Sequence, residues 1–436
     1  MRRLFGTALI VCALVTGVGV GDGAARPVGA RSASDPVLAA IQAERAHGRI
    51  TSAQAAGYSR TYTNTERDVA NLSGLRAREL GAALDIVRGI AERGSLSASR
   101  MPSVFLTLHR NVRWWSAHGP PTAGSGGEPG AKGRHCNPPA SPDARPANMT
   151  FSGSGVVFEY YPGLGLQLQV NATFSSIDAA LVYGSQAAAQ AAGTALEQML
   201  PLASVRGGLL TWEYEFPFEG ADPPWTSGLS QATAIDAYVH AAKRLNRPDF
   251  LKVALRPARL FAAAPPVGVE LHLSAGPWFL LYSFDPNQLV LNADLDAVIA
   301  LHDLRVATHS PFVTALARSG LHSLEHYLPR FDTGSWSYYA LGGPLADLNY
   351  HVLNLELTQD LCHRTGVRSV CRTARSFDRE LNSRCPVVNG SADHGGFAAR
   401  SRIDAGASFL QRIVSGLPGR HRPSPWVAPC DDRAQS

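Results

Sequence analysis

From Pro223 onward the chain alternates helical segments that carry one apolar stripe with helical segments that are apolar nearly all round. "WTSGLSQATAIDAYVHAAKRL" sets Leu229, Ala232, Ile235, Val239 and Ala242 at helical spacing. "LVLNADLDAVIALHDL" does the same with Leu291, Leu295, Val298 and Leu301, and "SPFVTALARSGLHSLEHYL" with Phe312, Leu316, Leu321 and Leu324. "PLADLNYHVLNLELTQDL" is apolar on more than one face. A helix buried all round needs neighbours on every side, whereas a striped one needs them on one side only, so the alternation suits an inner and an outer ring. Residues 223 to about 380 are therefore expected to form an α/α toroid or partial toroid, with the connecting hairpins at one mouth. An ordinary helical bundle is the competing reading.

Upstream the pattern differs. "DPVLAAIQAERAHGRITSAQAAGYSR", "TERDVANLSGLRARELGAALDIVRGIAERG" and "MPSVFLTLHRNVRWWSAH" have helical spacing, for instance Leu80, Leu84 and Val87, and define an N-terminal helical segment over residues 26–118. Residues 119–149 are rich in Gly, Pro, Ser and Ala without periodicity and read as a linker. Residues 150–222 read as a small β-rich region with one helix. "VVFEYYPGLGLQLQV" is a hairpin about a Pro-Gly turn, "SIDAALVYGSQAAAQAAGTALEQMLPLA" is the helix, and "GGLLTWEYEFPF" is a strand with Trp212, Tyr214 and Phe216 on one face. The fold class is thus α+β, with the toroid domain over 223–420 and a tail over 421–436. A chain of 436 residues exceeds what one core usually covers, in keeping with several units.

The first 25 residues, "MRRLFGTALIVCALVTGVGVGDGAA", place two arginines before an apolar run and small residues after it, as in a secretory signal peptide; a membrane anchor is the alternative. No later stretch is long enough to span a bilayer. Export permits disulfides. Cys362 and Cys371 bracket "HRTGVRSV" and are the preferred pair, Cys385 with Cys430 would staple the tail, and Cys136 is left over. No C-x-x-C spacing occurs, so zinc is a poor alternative, and neither metal nor cofactor nor nucleic acid is expected. The net charge is +5, carried almost entirely by arginine, with lysine only at Lys132, Lys243 and Lys252. Guanidinium groups bind carboxylates and sulfates through two parallel hydrogen bonds, so an acidic polymer is a fitting partner; a bias of composition toward arginine explains the same count.

The segment "FDTGSWSYYALGGPLADLNYHVLNLEL", residues 331–357, gathers Tyr338, Tyr339, Tyr350 and His351 about a Gly-Gly-Pro turn. Adjacent Tyr338 and Tyr339 must face opposite ways in an extended strand, so one of them lines a given pocket. Pro344 suits the first position of the next helix, which would put Tyr350 and His351 in its second turn. In "PWFLLYSFDPNQLVLN", Trp278, Leu280, Tyr282 and Phe284 share a face if the segment is extended, and Asp285-Pro286 would open a helix.

Together "EYYPGLGLQ" (159–167), "PPWTSGLSQATAI" (223–235), "LYSFDPNQLVLN" (281–292) and "FDTGSWSYYAL…LADLNYH" (331–351) resemble the D-glucuronyl C5-epimerase C-terminal family, in the family's order, over roughly residues 150–365. The resemblance implies a β-rich region followed by an α/α barrel, with a polyuronate in a cleft. It also implies an isomerase that interconverts glucuronate and iduronate within heparan-type chains. It maps the family's functional tyrosines onto Tyr282, Tyr339 and Tyr350, and matches Gln231 and Asn292, which either hold the sugar or satisfy buried backbone groups. His351 either donates to the substrate carboxylate or caps a neighbouring helix, and Tyr161 is a further candidate substrate contact. C5 epimerisation removes a proton α to a carboxylate and returns one on the opposite face, so it needs two proton-handling groups and a means of neutralising the carboxylate.

Two positions depart from the family pattern. Leu281 stands where animal members carry a glutamate before the tyrosine, and Gly342 where they carry an arginine. Glu213 and Glu215 in "TWEYEFPF" are candidate replacements for the lost carboxylate. Three readings follow: an exported uronate C5-epimerase, a polysaccharide lyase that begins with the same proton abstraction and then expels the O4 substituent, and a secreted glycan-binding protein without the chemistry.

Overall fold

The computed structural model describes residues 35–122, 124–126, 143–145 and 147–386. The expected signal peptide and the tail lie outside these residues. Helices dominate, and the sheets are small and antiparallel.

Helices α1 (Pro36–Ala46), α2 (Ser52–Asn71), α3 (Gly74–Glu92) and α4 (Met101–Trp115) share a core of Val37, Ile41, Tyr58, Leu84, Ile90 and Phe105. Thr51 opens α2: its side chain accepts from Gln54 N–H while the Gln54 side chain returns to the Thr51 backbone, satisfying two end donors at once. The Gly/Pro-rich stretch contains a short pair, β1 (Gly124–Gly126) with β2 (Asp143–Arg145). Next, β3 (Asn148–Thr150), β4 (Val157–Tyr161) and β5 (Gly165–Leu168) form one sheet, the last two being the hairpin that the Pro-Gly turn announces. This hairpin is tied to the helices before it. The Glu79 carboxylate on α3 accepts from the backbone N–H groups of Gly163 and Gly165 and from the Tyr160 hydroxyl, and Asn111 on α4 bonds both backbone groups of Leu166. Gly165 has φ +74°, and a Cβ there would lie 2.5 Å from Asn111 Oδ1, so only glycine fits.

The single helix expected over residues 176–203 is two. Gly184 ends α5 (Val170–Tyr183), and the Ser185 hydroxyl caps α6 (Gln186–Met199) by accepting from Ala188 N–H. A two-stranded hairpin of β6 (Ser204–Arg206) and β7 (Leu209–Thr211) leads to α7 (Gly228–Arg244) and the short α8 (Asp249–Ala254). Then follow β8 (Glu270–Leu273) with β9 (Gly276–Phe279), α9 (Leu291–Thr308), α10 (Pro311–Tyr327), α11 (Leu348–Thr365) and α12 (Arg368–Arg384).

Helix α7 packs on α5 and α9, and α9 packs in turn on α11, so every second helix joins one row; α6, α8, α10 and α12 each back their predecessor. The alternation in the sequence has this cause. Helices α7 and α9 are buried on nearly every face, Leu291 through Leu301 without interruption, whereas α10 buries Val313, Leu316, Ala317, Gly320, Ser323, Leu324 and Tyr327 on one side. Cys362 on α11 and Cys371 on α12 form the expected disulfide, across a turn in which Gly366 adopts φ +66°. Cys385 is disulfide-bonded too, and its expected partner Cys430 lies outside the described residues, as does Cys136. No helix among the described residues is long and apolar enough to cross a membrane.

Two helix starts differ from expectation. Helix α9 begins at Leu291 rather than after Asp285-Pro286, because residues 289–291 first pair with the 339–341 strand: Leu341 N–H donates to Leu289 and Leu291 N–H to Tyr339. Helix α11 begins at Leu348 rather than Pro344. The Pro344 carbonyl accepts from Tyr339 N–H inside a hairpin, and Asp347 is the cap, taking Tyr350 N–H at 2.8 Å. Tyr350 and His351 thus lie in the first turn of α11.

Candidate active site

Two extended segments and one helix start place three tyrosines beside the starts of three neighbouring helices. Tyr282 bridges Ser227, the cap of α7, and Gly228 N–H donates to Leu281. Tyr339 lies on the strand that bridges Val290, the cap of α9. Tyr350 sits in the first turn of α11. Helices α7, α9 and α11 are neighbours in one row, and Tyr282 and Tyr339 border one small apolar cluster of Leu281, Val290, Ala293 and Ala340.

The rings of Tyr339 and Tyr350 are 4.6 Å apart between centroids and inclined by 60°. Tyr282 is clamped by Phe284 (5.1 Å, stacked), Phe218 (5.7 Å) and Trp225 (5.7 Å, edge-on). Burial, then Tyr339, Glu219 and Tyr350, raise the Tyr282 phenol well above its ordinary value. Burial and then Tyr350 do the same to Tyr339. Tyr282 and Tyr339 are half-buried, while Tyr350 is 39% exposed, so the cluster opens to solvent on the Tyr350 side. Tyr338 faces the other way, against the main core, as strand alternation requires.

Trp225 links this cluster to a second polar string. It stacks on Tyr214 at 4.2 Å, and the Tyr214 hydroxyl meets Ser230 Oγ (2.8 Å), Gln169 Oε1 (2.9 Å) and Asn171 N–H (3.1 Å). Gln169 Nε2 then donates to Glu159 (2.9 Å) and to the Tyr161 hydroxyl (3.0 Å). Burial raises Glu159 above the usual carboxylate range. Tyr161 therefore belongs to this string, its ring 4.8 Å from Phe216, rather than to the three-tyrosine cluster.

The remaining sequence candidates are engaged elsewhere. Glu213 is buried and gripped by Arg100 (2.7 and 3.2 Å) and Arg206 (2.8 Å), with Ser204 also donating to it; these bonds hold it below the usual carboxylate range despite its burial. Glu215 accepts from Ser103 on α4, and burial followed by the neighbouring Glu213 charge pushes it up. Both carboxylates thus fasten the strand after β7 to α4 and do not replace the family glutamate. His351 is fully buried against Trp336 (3.7 Å, stacked); Nδ1 accepts from Ser337 N–H and Nε2–H donates to the Phe377 carbonyl on α12, so it cannot meet a substrate carboxylate. Gln231 spends both ends of its amide on the Trp212 backbone. Asn292 lies in the first turn of α9, 2% exposed, its Oδ1 without a partner. Leu281 packs with Val290, Ala293 and Ala340 beneath the tyrosines, and Gly342 holds φ +71° in the exposed turn where an arginine side chain would be strained.

Glu219 is the residue that sequence reasoning passed over. It tips the hairpin that carries Phe218 and Trp225 to Tyr282, and its charge acts on both Tyr282 and Tyr339. "FEGA" held the signal, a residue-Gly pair between strand residues. Among the described residues no group of His, Cys, Asp and Glu is placed to hold a metal ion.

Residues 206–379 match the family model described as D-glucuronyl C5-epimerase C-terminus. The D-glucuronyl C5-epimerase of Caenorhabditis elegans is 30% identical over 155 residues, covering 31% of this chain and 25% of that one. An uncharacterized protein of Methanocaldococcus jannaschii is 26% identical over 164 residues, covering 36% of this chain and 53% of the relative. The chain thus spans between a quarter and about half the length of these curated relatives. Among solved structures, cellobiose 2-epimerase from Bacillus thermoamylovorans aligns with a TM-score of 0.37 at 12% identity, over 56% of this chain and 74% of that one. Residues 206–379 are thus similar to the C-terminal part of D-glucuronyl C5-epimerases.

Proposed function

We propose that this protein is a carbohydrate epimerase that inverts C5 of uronate residues within an acidic polysaccharide, glucuronate to iduronate or an equivalent pair. The observation that carries the reading is the gathering of Tyr282, Tyr339 and Tyr350 at the starts of α7, α9 and α11, with Tyr350 exposed to solvent. The likeness of residues 206–379 to D-glucuronyl C5-epimerases supplies the reaction class, and the geometry supports it on chemical grounds. The first turns of α7, α9 and α11 carry the positive ends of their helix dipoles beside the tyrosines, which favours a bound carboxylate. Neutral phenols beside it donate hydrogen bonds as the carboxylate gathers charge in the C5 carbanion, the charge development that makes this abstraction hard. Tyr350, on the open side, is the acid that returns a proton to C5. In this reading the row α5, α7, α9 and α11, backed by α6, α8, α10 and α12, is an arc of an α/α toroid with the tyrosines at its mouth. The leader-like N-terminus and the disulfides support export.

The test is proton NMR of a panel of uronic acid polymers incubated with the protein in deuterated buffer. Loss of the C5 proton signal with the chain uncut supports epimerisation. An ultraviolet-absorbing unsaturated uronate identifies a lyase, and saturable binding with neither change identifies a glycan-binding protein.

A further inference from the structure

We propose that Glu219 is the base that removes the C5 proton, supplied from the hairpin at residues 214–225 in place of the carboxylate missing at Leu281. This deepens the epimerase reading above and rests on it.

Phe218 and Ala221 exchange both backbone hydrogen bonds (3.1 and 2.9 Å), so Glu219 and Gly220 form a two-residue hairpin turn with φ +48° and +82°. Positive φ at both central positions defines the turn type that prefers Asn-Gly or Asp-Gly; a glutamate in the first place is strained. Strain held at one position of an otherwise regular hairpin marks a residue retained for its side chain. The turn is aimed at the cluster, because Phe218 and Trp225 on its two arms both lie 5.7 Å from the Tyr282 ring. Glu219 is exposed, and among the described residues neither a hydrogen bond nor an ion pair occupies its carboxylate. Its field reaches both Tyr282 and Tyr339.

The chemistry requires such a group. Tyr282 and Tyr339 are held neutral, so they donate protons and do not accept them. Of the two carboxylates that act on Tyr339, Asp347 is engaged as the cap of α11 by Tyr350 N–H. Glu219 is left. Its carboxylate takes the C5 proton and becomes the acid, the electrons of the C5–H bond pass into the substrate carboxyl as an enediolate, and the Tyr350 phenol delivers a proton to the opposite face. The enzyme resets when Glu219 loses its proton to solvent and Tyr350 regains one, so the product carries a solvent-derived hydrogen at C5.

The experiment follows C5 exchange in deuterated buffer for the full chain and for Glu219→Gln, Glu219→Asn and Asp222→Asn. Removing a general base costs about 100-fold or more in rate. We expect that loss in both Glu219 variants with KM held within threefold, and thermal stability unchanged in Glu219→Gln and equal or higher in Glu219→Asn, because asparagine suits the turn. Asp222→Asn removes a charge from the same hairpin, where its ion pair among the described residues is with Arg93 at 3.6 Å, and should keep its exchange. Three results overturn the assignment: a Glu219 variant that exchanges within threefold of wild type, one that changes KM alone, or an equal loss in Asp222→Asn. If Tyr350→Phe loses exchange while Glu219→Gln keeps it, this proposal fails and the reading of the tyrosine site stands. If the wild-type protein exchanges no uronate polymer, both fall.

Discussion

Tyr339 and Tyr350 flank a Gly-Gly-Pro turn, and that turn folds their rings together at 4.6 Å. The contact depends on where α11 starts. Had the helix begun at Pro344, Tyr350 would stand a turn further from its mouth; the Asp347 cap brings it into the first turn, beside the strand that carries Tyr339. The juxtaposition separates chemistry from architecture, since one ring is half-buried in the packing and the other reaches solvent.

Tyr350→Phe should therefore lower C5 exchange by about 100- to 10,000-fold, the span of a lost general acid, while shifting unfolding free energy by less than about 1 kcal/mol. Tyr338→Phe, a change on the opposite face of the strand, should exchange at close to the wild-type rate. NMR exchange rates set beside urea unfolding curves test both. Wild-type exchange by Tyr350→Phe would remove Tyr350 from the mechanism.

The two strand glutamates should behave in opposite ways. Glu213→Gln leaves Arg100 and Arg206 facing an uncharged amide in a buried site, which is expected to cost about 3 kcal/mol or more. Glu215 is already pushed toward its protonated form, so Glu215→Gln replaces one neutral group by another and should cost under about 1 kcal/mol. Denaturant midpoints measure the contrast. Exchange per folded molecule should be unchanged in both, and a selective loss of exchange in either would return it to the active site.

Removing the Cys362–Cys371 bridge, by Cys362→Ser with Cys371→Ser, should lower stability by about 2–3 kcal/mol, the entropic estimate for so short a loop. The bridge joins α11 to α12 at the end away from the tyrosines, so exchange at low temperature should persist. A thermal scan with and without reductant reads the first effect.

The sequence carried the helical row in its periodicity, because burial on all sides leaves a different residue pattern from burial on one. The β4–β5 hairpin and the Cys362–Cys371 pair were legible for a similar reason: each is decided by a few adjacent residues. The tyrosine cluster was not readable from spacing, and only the family likeness singled out Tyr282 together with Tyr339 and Tyr350. The roles of Glu213 and Glu215 were not legible because Arg100 and Ser103, which tie them to α4, lie more than a hundred residues away. His351 misled in the same manner, its two partners being a turn serine and a carbonyl on the following helix. Polar residues near a site in sequence become scaffold when distant backbone and charge claim them, and periodicity says nothing of such claims.

His351 turns that scaffold role into a pH dependence. Burial, the largest influence, lowers its pKa from the ordinary 6.5 to about 4, and the ring is neutral in the folded protein at pH 7. Unfolded, the same imidazole binds a proton below about pH 6.5, so between pH 6.5 and 4 the unfolded state holds more protons than the folded one. Stability from this residue is therefore complete above pH 6.5 and declines as pH falls toward 4. The loss is on the order of 3 kcal/mol at the lower limit. Denaturant unfolding at pH 7 and at pH 4.5 should show the decline, and in His351→Gln, which has no ring to protonate, the difference between the two pH values should shrink by about that amount. Because the ring lies between Trp336 and α12 and not among the tyrosines, the C5 exchange of the folded fraction of His351→Gln should stay near wild type. An unchanged pH slope in the variant would show that the acid sensitivity of the fold lies elsewhere.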